Sequence, residues 1–132
     1  NYRGRFSVLL PALRKKNAAG WAVFYSANRT DGEGRSLKNM VAARMLALDL
    51  DGAPLPTKWK ISPHAIIETS PKRFQCIWAL NETQDFARHR EVMLQLAAHY
   101  GGDKSIADIT RVLRMPGFLH QKRKPFLSRL VQ

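Results

Sequence analysis

Hydrophobic and polar residues alternate along the chain at spacings that predict both helices and strands. In residues 83–100 the apolar side chains recur three and four positions apart, which is typical of an amphipathic helix. Thr83 is its predicted N-cap, and Gly101-Gly102 is its predicted end. Residues 6–16 predict a second helix, which we expect Pro11 to interrupt.

Runs rich in β-branched, aromatic and leucine residues predict the strands. They cover residues 21–27, 45–52, 64–69, 74–80, 111–115 and 126–131. Ser70-Pro71-Lys72-Arg73 separates two of these runs and predicts a β-hairpin. Strands and helices in mixed order with a hairpin predict an α+β fold rather than a doubly wound parallel sheet.

The predicted strand 45–52 carries two carboxylates on one face. Side chains alternate across a strand, so Asp49 and Asp51 point to one side and the leucines between them to the other. Two like charges about 7 Å apart on an apolar strand are costly unless a cation lies between them. Mg²⁺ and Mn²⁺ prefer carboxylate oxygens, so a metal site is one interpretation. A turn closed by Asp-x-Asp-Gly is the other, and the motif alone favours neither.

The net charge of the chain indicates which kinds of partner it binds. The chain has 132 residues, enough for one domain spanning 1–132, and carries 22 Lys and Arg against 10 acids, a net charge of +12. This excess favours nucleic acid, nucleotides or anionic membranes, and no basic amphipathic helix of the membrane type stands out. With no long apolar run and no signal-peptide pattern, we expect a cytoplasmic protein without a membrane partner. The single Cys76 excludes an internal disulfide, and the first residue, Asn1, suggests a fragment of a longer protein.

Basic residues concentrate around two segments. The hairpin tip offers Ser70, Lys72 and Arg73 as a cradle for phosphate, although a solvent-exposed basic turn has the same pattern. In residues 104–132, a Pro-Gly followed by His120 and Lys122 can position a triphosphate, and a solvated basic tail is equally compatible with the pattern. On a strand, Arg111 and Arg114 would point to opposite faces, so we expect only one of them at a given site.

Three blocks in this order resemble the archaeo-eukaryotic primase superfamily, most closely its RepB-like plasmid and phage primases. They are the apolar-Asp-x-Asp-Gly strand (48–52), the Glu-Thr-Ser…Gln hairpin (68–78) and Gly-Gly-Asp…Arg-Val-Leu-Arg-Met-Pro-Gly-Phe-x-x-x-Lys (101–122). The resemblance covers nearly the whole chain. It implies a primase-like (RRM-like) α+β core, in which a central antiparallel or mixed sheet carries the site and helices flank it.

The resemblance also implies roles for individual residues. Asp49 and Asp51 match the first metal-binding motif of the family, and Asp103 is the preferred third catalytic carboxylate, with Asp108 as its alternative. Gln75 stands where many primase-polymerases have a histidine that contacts the incoming nucleotide. Residues expected to hold nucleotide phosphates or template are Arg111, Arg114, His120 and Lys122, with Ser70, Lys72 and Arg73 as secondary candidates.

The implied activity is metal-dependent nucleotidyl transfer that makes primers in plasmid, phage or mobile-element replication. Two Mg²⁺ or Mn²⁺ ions are the implied cofactors. The implied partners are a single-stranded DNA template, nucleoside triphosphates and a fused or associated helicase or relaxase. Trp59 and Phe118 are candidates for base stacking, and both also fit a hydrophobic core.

Two other functions are compatible with the same residues. One is a single-stranded nucleic-acid-binding module without catalysis, which the charge and the glutamine at position 75 favour. The other is a phosphatase of the haloacid-dehalogenase type, with Asp49-Leu-Asp51-Gly52 as its nucleophile motif. That motif normally follows the first strand of a parallel sheet and ends in Gly-Thr, whereas Ala53 follows Gly52 here.

Overall fold

The computed structural model describes residues 2–122 and 124–132. Within these described residues, two helices and nine strands follow one another in mixed order, joined by loops and two single-turn 3₁₀ helices at Leu37–Asn39 and Lys104–Ile106. The elements are α1 (Phe6–Ala18), β1 (Phe24–Ser26), β2 (Arg29–Thr30), β3 (Met40–Leu50), β4 (Ala65–Ser70), β5 (Arg73–Thr83), α2 (Phe86–Tyr100), β6 (Val112–Arg114), β7 (Leu119–His120), β8 (Phe126–Leu127) and β9 (Arg129–Leu130).

A five-stranded sheet forms the centre of the fold, in the order β2-β3-β5-β4-β9. Two short ribbons, β1-β6 and β7-β8, accompany it, and all the strand pairs in the described residues are antiparallel. The predicted α+β class is therefore confirmed. The phosphatase interpretation is wrong, because it requires a parallel sheet and β3 pairs antiparallel with both of its neighbours.

Both faces of the central sheet are buried. Leu48, Leu50 and Cys76 belong to one apolar cluster, whereas Ala47 and Ile77 belong to another on the opposite face. The alternation predicted for the central strand is thus observed, with its leucines on one side and Asp49 on the other. Burial of both faces fixes the register, because a shift by one residue would exchange every side chain between the two clusters.

Helix α2 packs along the open edge of β3. β2 pairs with β3 only as far as Ala42, so the outer polar groups of the strand beyond it need other partners. His89 Nε2 lies 3.0 Å from the carbonyl oxygen of Met45, and the N–H of Ala47 donates to Met93 Sδ at 3.1 Å. The helix thereby closes an edge that would otherwise be exposed.

Helix α1 differs from its prediction in that it runs through Pro11 to Ala18 without a break. Pro11 is exposed and removes only one backbone donor, so the remaining hydrogen bonds of this surface helix are enough to continue it past the proline. No helix in residues 2–122 and 124–132 has the length and apolar character required to cross a membrane.

Several other boundaries move for tertiary reasons. β3 begins at Met40 and ends before Asp51, and β1 covers only Phe24–Ser26. Thr83 belongs to β5, where it pairs with Ala43, and the N-cap of α2 is Asp85, whose side chain accepts from Arg88 N. The single predicted strand 126–131 is split at Ser128.

Ser128 causes that split. The residue is fully buried, and its hydroxyl lies within hydrogen-bond distance of the carbonyl oxygens of Met115 and Phe118. The chain therefore turns from one sheet to the next at this position, with β8 pairing with β7 and β9 pairing with β4.

Candidate functional site

A cleft of about 310 Å³ opens where β3 ends and the β4-β5 hairpin meets β6 and β7. Nine of its lining residues are polar or charged, a composition that suits an ionic ligand better than an apolar one. The lining residues are Phe24, Asp49, Asp51, Thr69, Ser70, Arg73, Gln75, Ile106, Arg111, Val112, Arg114 and His120.

Gln75 connects Asp49 to strand β6. The two residues are direct partners across β3 and β5, and Gln75 Nε2 donates to Asp49 Oδ2 over 3.4 Å. Gln75 Oε1 accepts from the backbone N–H of Arg114 at 3.2 Å. Because the side chain is only 8% exposed, this amide holds the sheet and β6 at a fixed separation across the cleft. Contact between Gln75 and a nucleotide stays a prediction.

Asp49 is a partly buried carboxylate without a full counter-charge. Its burial raises the pKa of the carboxyl, the nearby Asp103 raises it further, and the Gln75 hydrogen bond, Arg111 and Arg73 act in the opposite direction. On the other face of the sheet, burial and the Asp49 charge raise the pKa of Cys76 to about 12, so this thiol stays protonated. A carboxylate in such an environment is stabilised by an added cation.

Asp51 lies just beyond the end of β3 and is exposed. Its carboxylate forms an ion pair with the guanidinium of Arg73, at the start of β5. Gly52 follows with a φ of 100°, a left-handed conformation that turns the chain away from the sheet. The two aspartates of the motif thus enter the same cleft in different environments, Asp49 partly buried and Asp51 at the rim.

Asp103 reaches the same strand end from helix α2. Gly101 ends the helix in a left-handed conformation, and the N–H of Asp103 donates to the carbonyl oxygen of Asp49 at 2.9 Å. The Asp103 carboxylate accepts from Ser105 N at 2.8 Å and Ser105 Oγ at 2.6 Å. These hydrogen bonds, together with Arg111, lower the pKa of Asp103.

Asp108, the alternative third carboxylate, is committed elsewhere. It accepts from the backbone N–H and the hydroxyl of Thr110, each at 2.9 Å, and, like Asp103, it does not line the cleft. Of the two candidates, only Asp103 makes a direct backbone contact with Asp49, and its negative charge raises the pKa of the Asp49 carboxyl. The role of Asp103 as a ligand stays a prediction.

Five of the candidate phosphate-binding residues line the cleft, namely Ser70, Arg73, Arg111, Arg114 and His120. The expectation that Arg111 and Arg114 point to opposite faces is wrong, because Arg111 precedes β6 and only Arg114 belongs to the strand. His120 Nδ1 lies 2.9 Å from the carbonyl oxygen of Thr69, which fixes the ring beside the hairpin.

Two predicted basic residues lie outside the lining of the cleft. Lys72 has a φ of 61°, and its N–H donates to Glu68 Oε1 at 3.2 Å, so the turn uses this donor internally. Lys122 is exposed beyond β7. The hairpin tip is therefore only partly the cradle that the sequence suggested, with Ser70 and Arg73 as its contribution to the cleft.

Four lining residues are not among the site candidates that the sequence offers: Phe24, Thr69, Ile106 and Val112. Phe24 enters the cleft because β1 pairs with β6, where Phe24 is opposite Arg114, and the guanidinium lies 4.6 Å from the centre of the ring. This pairing joins segments ninety positions apart, so neither segment alone indicates it. The other aromatic candidates pack internally, Trp59 against Trp78 and Tyr100, and Phe118 only 4% exposed.

The donor chemistry of the site fits a divalent metal, although a complete ligand set is not assembled. In residues 2–122 and 124–132 no group of three His, Cys, Asp or Glu side chains has the spacing to hold an ion. The Asp51 carboxylate pairs with Arg73, and that of Asp103 with Ser105. The partly buried Asp49, with its raised pKa, supplies the hard oxygen and the unbalanced charge that favour Mg²⁺ or Mn²⁺.

The fold is shared with structures of primase domains. The AEP domain of the primase-polymerase of cyanophage S-2L is 18% identical, with a TM-score of 0.72 over 92% of this chain and 68% of that one. The catalytic domain of primase RepB′ in complex with initiator DNA is 21% identical, with a TM-score of 0.68 over 95% of this chain and 63% of that one. No curated protein sequence matches the chain at a significant level.

These likenesses define the architecture as that of a primase catalytic domain. The family model described as the RepB DNA-primase N-terminal domain matches residues 24–131. The chain belongs to this family, and the resemblance to the archaeo-eukaryotic primase superfamily is confirmed.

Proposed function

We propose that this domain is a DNA primase or primase-polymerase that joins nucleotides on a single-stranded DNA template. The observation that carries the proposal is one cleft that contains both Asp49 and Asp51 together with Arg73, Arg111 and Arg114. Carboxylates that can bind metal, set opposite cations that can bind a triphosphate, are what nucleotidyl transfer requires. Membership of the RepB primase family supports the same conclusion.

In this proposal Asp49, Asp51 and Asp103 hold one or two Mg²⁺ or Mn²⁺ ions. When bound there, the ions would lower the pKa of the attacking 3′-hydroxyl and neutralise the triphosphate. Arg111 and Arg114 bind phosphate oxygens, and Arg73 and Ser70 contribute from the hairpin. The 3′-hydroxyl loses its proton to water, and its oxygen forms a bond to the α-phosphorus. The bond from the α-phosphorus to the oxygen that bridges to the β-phosphate breaks, and pyrophosphate leaves with its electrons.

Gln75 and His120 have supporting roles in the proposal. Gln75 keeps Asp49 oriented and anchors the backbone of Arg114. His120 donates from Nδ1 to the carbonyl oxygen of Thr69 at the edge of the cleft, and its Nε2 can donate to a phosphate when the ring carries both protons. We also propose plasmid, phage or mobile-element replication as the context, with a helicase or relaxase as a partner.

Primer synthesis on a single-stranded oligonucleotide with labelled nucleotides, in Mg²⁺ and separately in Mn²⁺, tests the proposal. The double variant Asp49→Asn/Asp51→Asn should lose synthesis by about 100-fold or more while keeping the circular dichroism and binding to the template. Glu91→Gln, an exposed acid on α2, is the matched control and should keep full activity. Full activity of the double variant would overturn the proposal.

A single-stranded DNA-binding module without catalysis is the second candidate. The ion pair between Asp51 and Arg73 favours it, because Arg73 supplies the positive charge that a metal would bring. In that case the wild-type domain would make no primers in either metal. Its binding to DNA would be unaffected by EDTA and by the aspartate substitutions.

A further inference from the structure

An exposed tryptophan lies beside the basic end of helix α1. Trp21 is 64% exposed, and the ammonium of Lys16 lies 5.5 Å from the centre of its ring. Lys15 and Lys16 form the last turn of the helix, and residues 2–27 contain five basic and no acidic residues. A large exposed aromatic side chain within a strongly basic segment indicates a binding surface.

Asn17 holds this surface against the cleft. Its side-chain amide donates to the carbonyl oxygens of Trp21 at 2.8 Å and Leu119 at 2.9 Å, and its Oδ1 accepts from Leu119 N at 2.8 Å. Gln121 Nε2 donates to the carbonyl oxygen of Asn17 at 2.6 Å. His120, which lies between these two partners in β7, lines the cleft. The end of α1 is thereby fixed next to the site.

Two pairs of a cation and an aromatic ring thus follow each other along the chain. Phe24 with Arg114 lies in the cleft, and Trp21 with Lys16 lies outside it. Trp21 and Phe24 are three positions apart, so their Cα atoms are separated by at most about 10 Å. Each ring offers a surface for a base and each cation a partner for a phosphate, which is how proteins bind single strands without reading their sequence.

We infer that Trp21, Lys16 and Lys15 form a stacking site that carries single-stranded nucleic acid into or out of the cleft. The family model begins at residue 24, so this surface lies outside the segment that defines the family. The inference rests on the proposed function in one respect, which is that the strand bound at this surface is the template. Binding itself requires neither metal nor nucleotide, so the inference can be tested apart from catalysis.

Fluorescence anisotropy with a labelled oligo-dT of about 12 nucleotides, in EDTA, is the direct test. Trp21→Ala should weaken binding by about 5- to 100-fold, and Trp21→Phe should restore most of it. Lys16→Ala should reduce the slope of log K against log salt by about 0.7, the value for one phosphate contact on a single strand. Oligo-dT should also quench the fluorescence of the wild-type protein more than that of Trp21→Phe.

Matched controls separate this surface from general effects of charge and exposure. Val8→Ala changes an apolar residue of the same helix that is 73% exposed, and Lys38→Ala removes an exposed cation elsewhere. Neither variant should lose the affinity for oligo-dT that Trp21→Ala loses. Equal affinity of Trp21→Ala and wild type would overturn the inference. Stronger binding to anionic vesicles than to oligo-dT would overturn it in favour of a membrane.

The same measurements distinguish the two proposals. If the wild-type protein makes no primers but Trp21→Ala still weakens oligo-dT binding, the inference survives and the proposed function fails. If Trp21→Ala makes primers normally and binds oligo-dT normally, the inference fails and the proposed function survives. Oligo-dT compared with oligo-U shows whether the strand is DNA or RNA.

Discussion

The backbone N–H of Asp103 donates to the carbonyl oxygen of Asp49 at 2.9 Å. This contact continues the series of bonds by which α2 and the segment after it close the outer edge of β3. It brings the backbone of Asp103 next to that of Asp49 across more than fifty residues of chain. The position of Asp103 is therefore fixed by the backbone and does not depend on its side chain.

Substitution of each of the two candidates for the third carboxylate, Asp103 and Asp108, tests this arrangement. Asp103→Asn should reduce primer synthesis by about 10- to 100-fold, because a metal ligand is lost while the backbone contact stays. Asp108→Asn should change synthesis by less than about threefold, since its carboxylate serves only the turn at Thr110. The two activities are compared at a temperature at which both variants are fully folded. The reverse order of losses would assign the third ligand to Asp108.

Gly102 allows the close approach of that segment to β3. A Cβ at this position would lie 2.4 Å from Leu48 Cδ1 and 3.1 Å from the carbonyl oxygen of Asp49. Gly102→Ala should destabilise the domain by about 1–3 kcal/mol and should weaken Mn²⁺ binding, because it pushes Asp103 away from the strand. Urea unfolding and titration with Mn²⁺ measure the two effects.

Gly101→Asn is the control for Gly102→Ala. Gly101 has a φ of 72°, which asparagine tolerates, and a Cβ there meets only Ala53 at 3.7 Å. This variant should keep Mn²⁺ affinity. Equal loss of Mn²⁺ binding in both variants would show that the end of the helix, rather than the approach to β3, determines the site.

Glu68 fixes the hairpin that presents Ser70 and Arg73. Its carboxylate accepts from Arg129 Nε at 2.9 Å and Lys72 N at 3.2 Å, and the Arg129 bond is the main reason why the pKa of Glu68 is lowered. At pH 7, Glu68→Gln should cost about 1–3 kcal/mol of stability.

The pH dependence of that loss has a definite sign. Because the pKa of Glu68 is lower in the folded state, its contribution is present above the unfolded pKa of about 4.5 and is lost as the pH falls through the folded value. The difference between Glu68→Gln and wild type should therefore shrink on acidification. Glu82→Gln, in an exposed pair with Arg29, should change stability by less than about 1 kcal/mol at any pH.

Arg73 competes with metal for Asp51 and also faces the cleft. Arg73→Gln should strengthen Mn²⁺ binding by about two- to fivefold in the absence of nucleotide, because an exposed ion pair no longer has to be broken. The same variant should raise the KM for nucleotide, since a phosphate partner is lost. Lys72→Gln, next to it but outside the cleft, should change neither value. Weaker Mn²⁺ binding in Arg73→Gln would contradict this competition.

The sequence by itself determined the central elements of the fold and the identity of the family. Leu46, Leu48 and Leu50 lie on one face of β3 and Asp49 lies on the other, because successive side chains of a strand point to opposite faces. This pattern can be read from a few neighbouring residues. The long helix was visible for the same reason, since its spacing of apolar residues repeats within a few turns. The ordered motifs around Asp49, Gln75 and Arg114 were sufficient for the family.

Only the tertiary structure decided the rest, because it depends on pairings between distant segments. β1 and β6 bring Phe24 to Arg114, the open edge of β3 selects Asp103 over Asp108 as its neighbour, and Asn17 brings α1 to the cleft. The division of the last strand at Ser128 likewise arises from a partner outside the strand, the carbonyl oxygen of Met115. Local periodicity reports which face of an element is buried, but not which segment covers it.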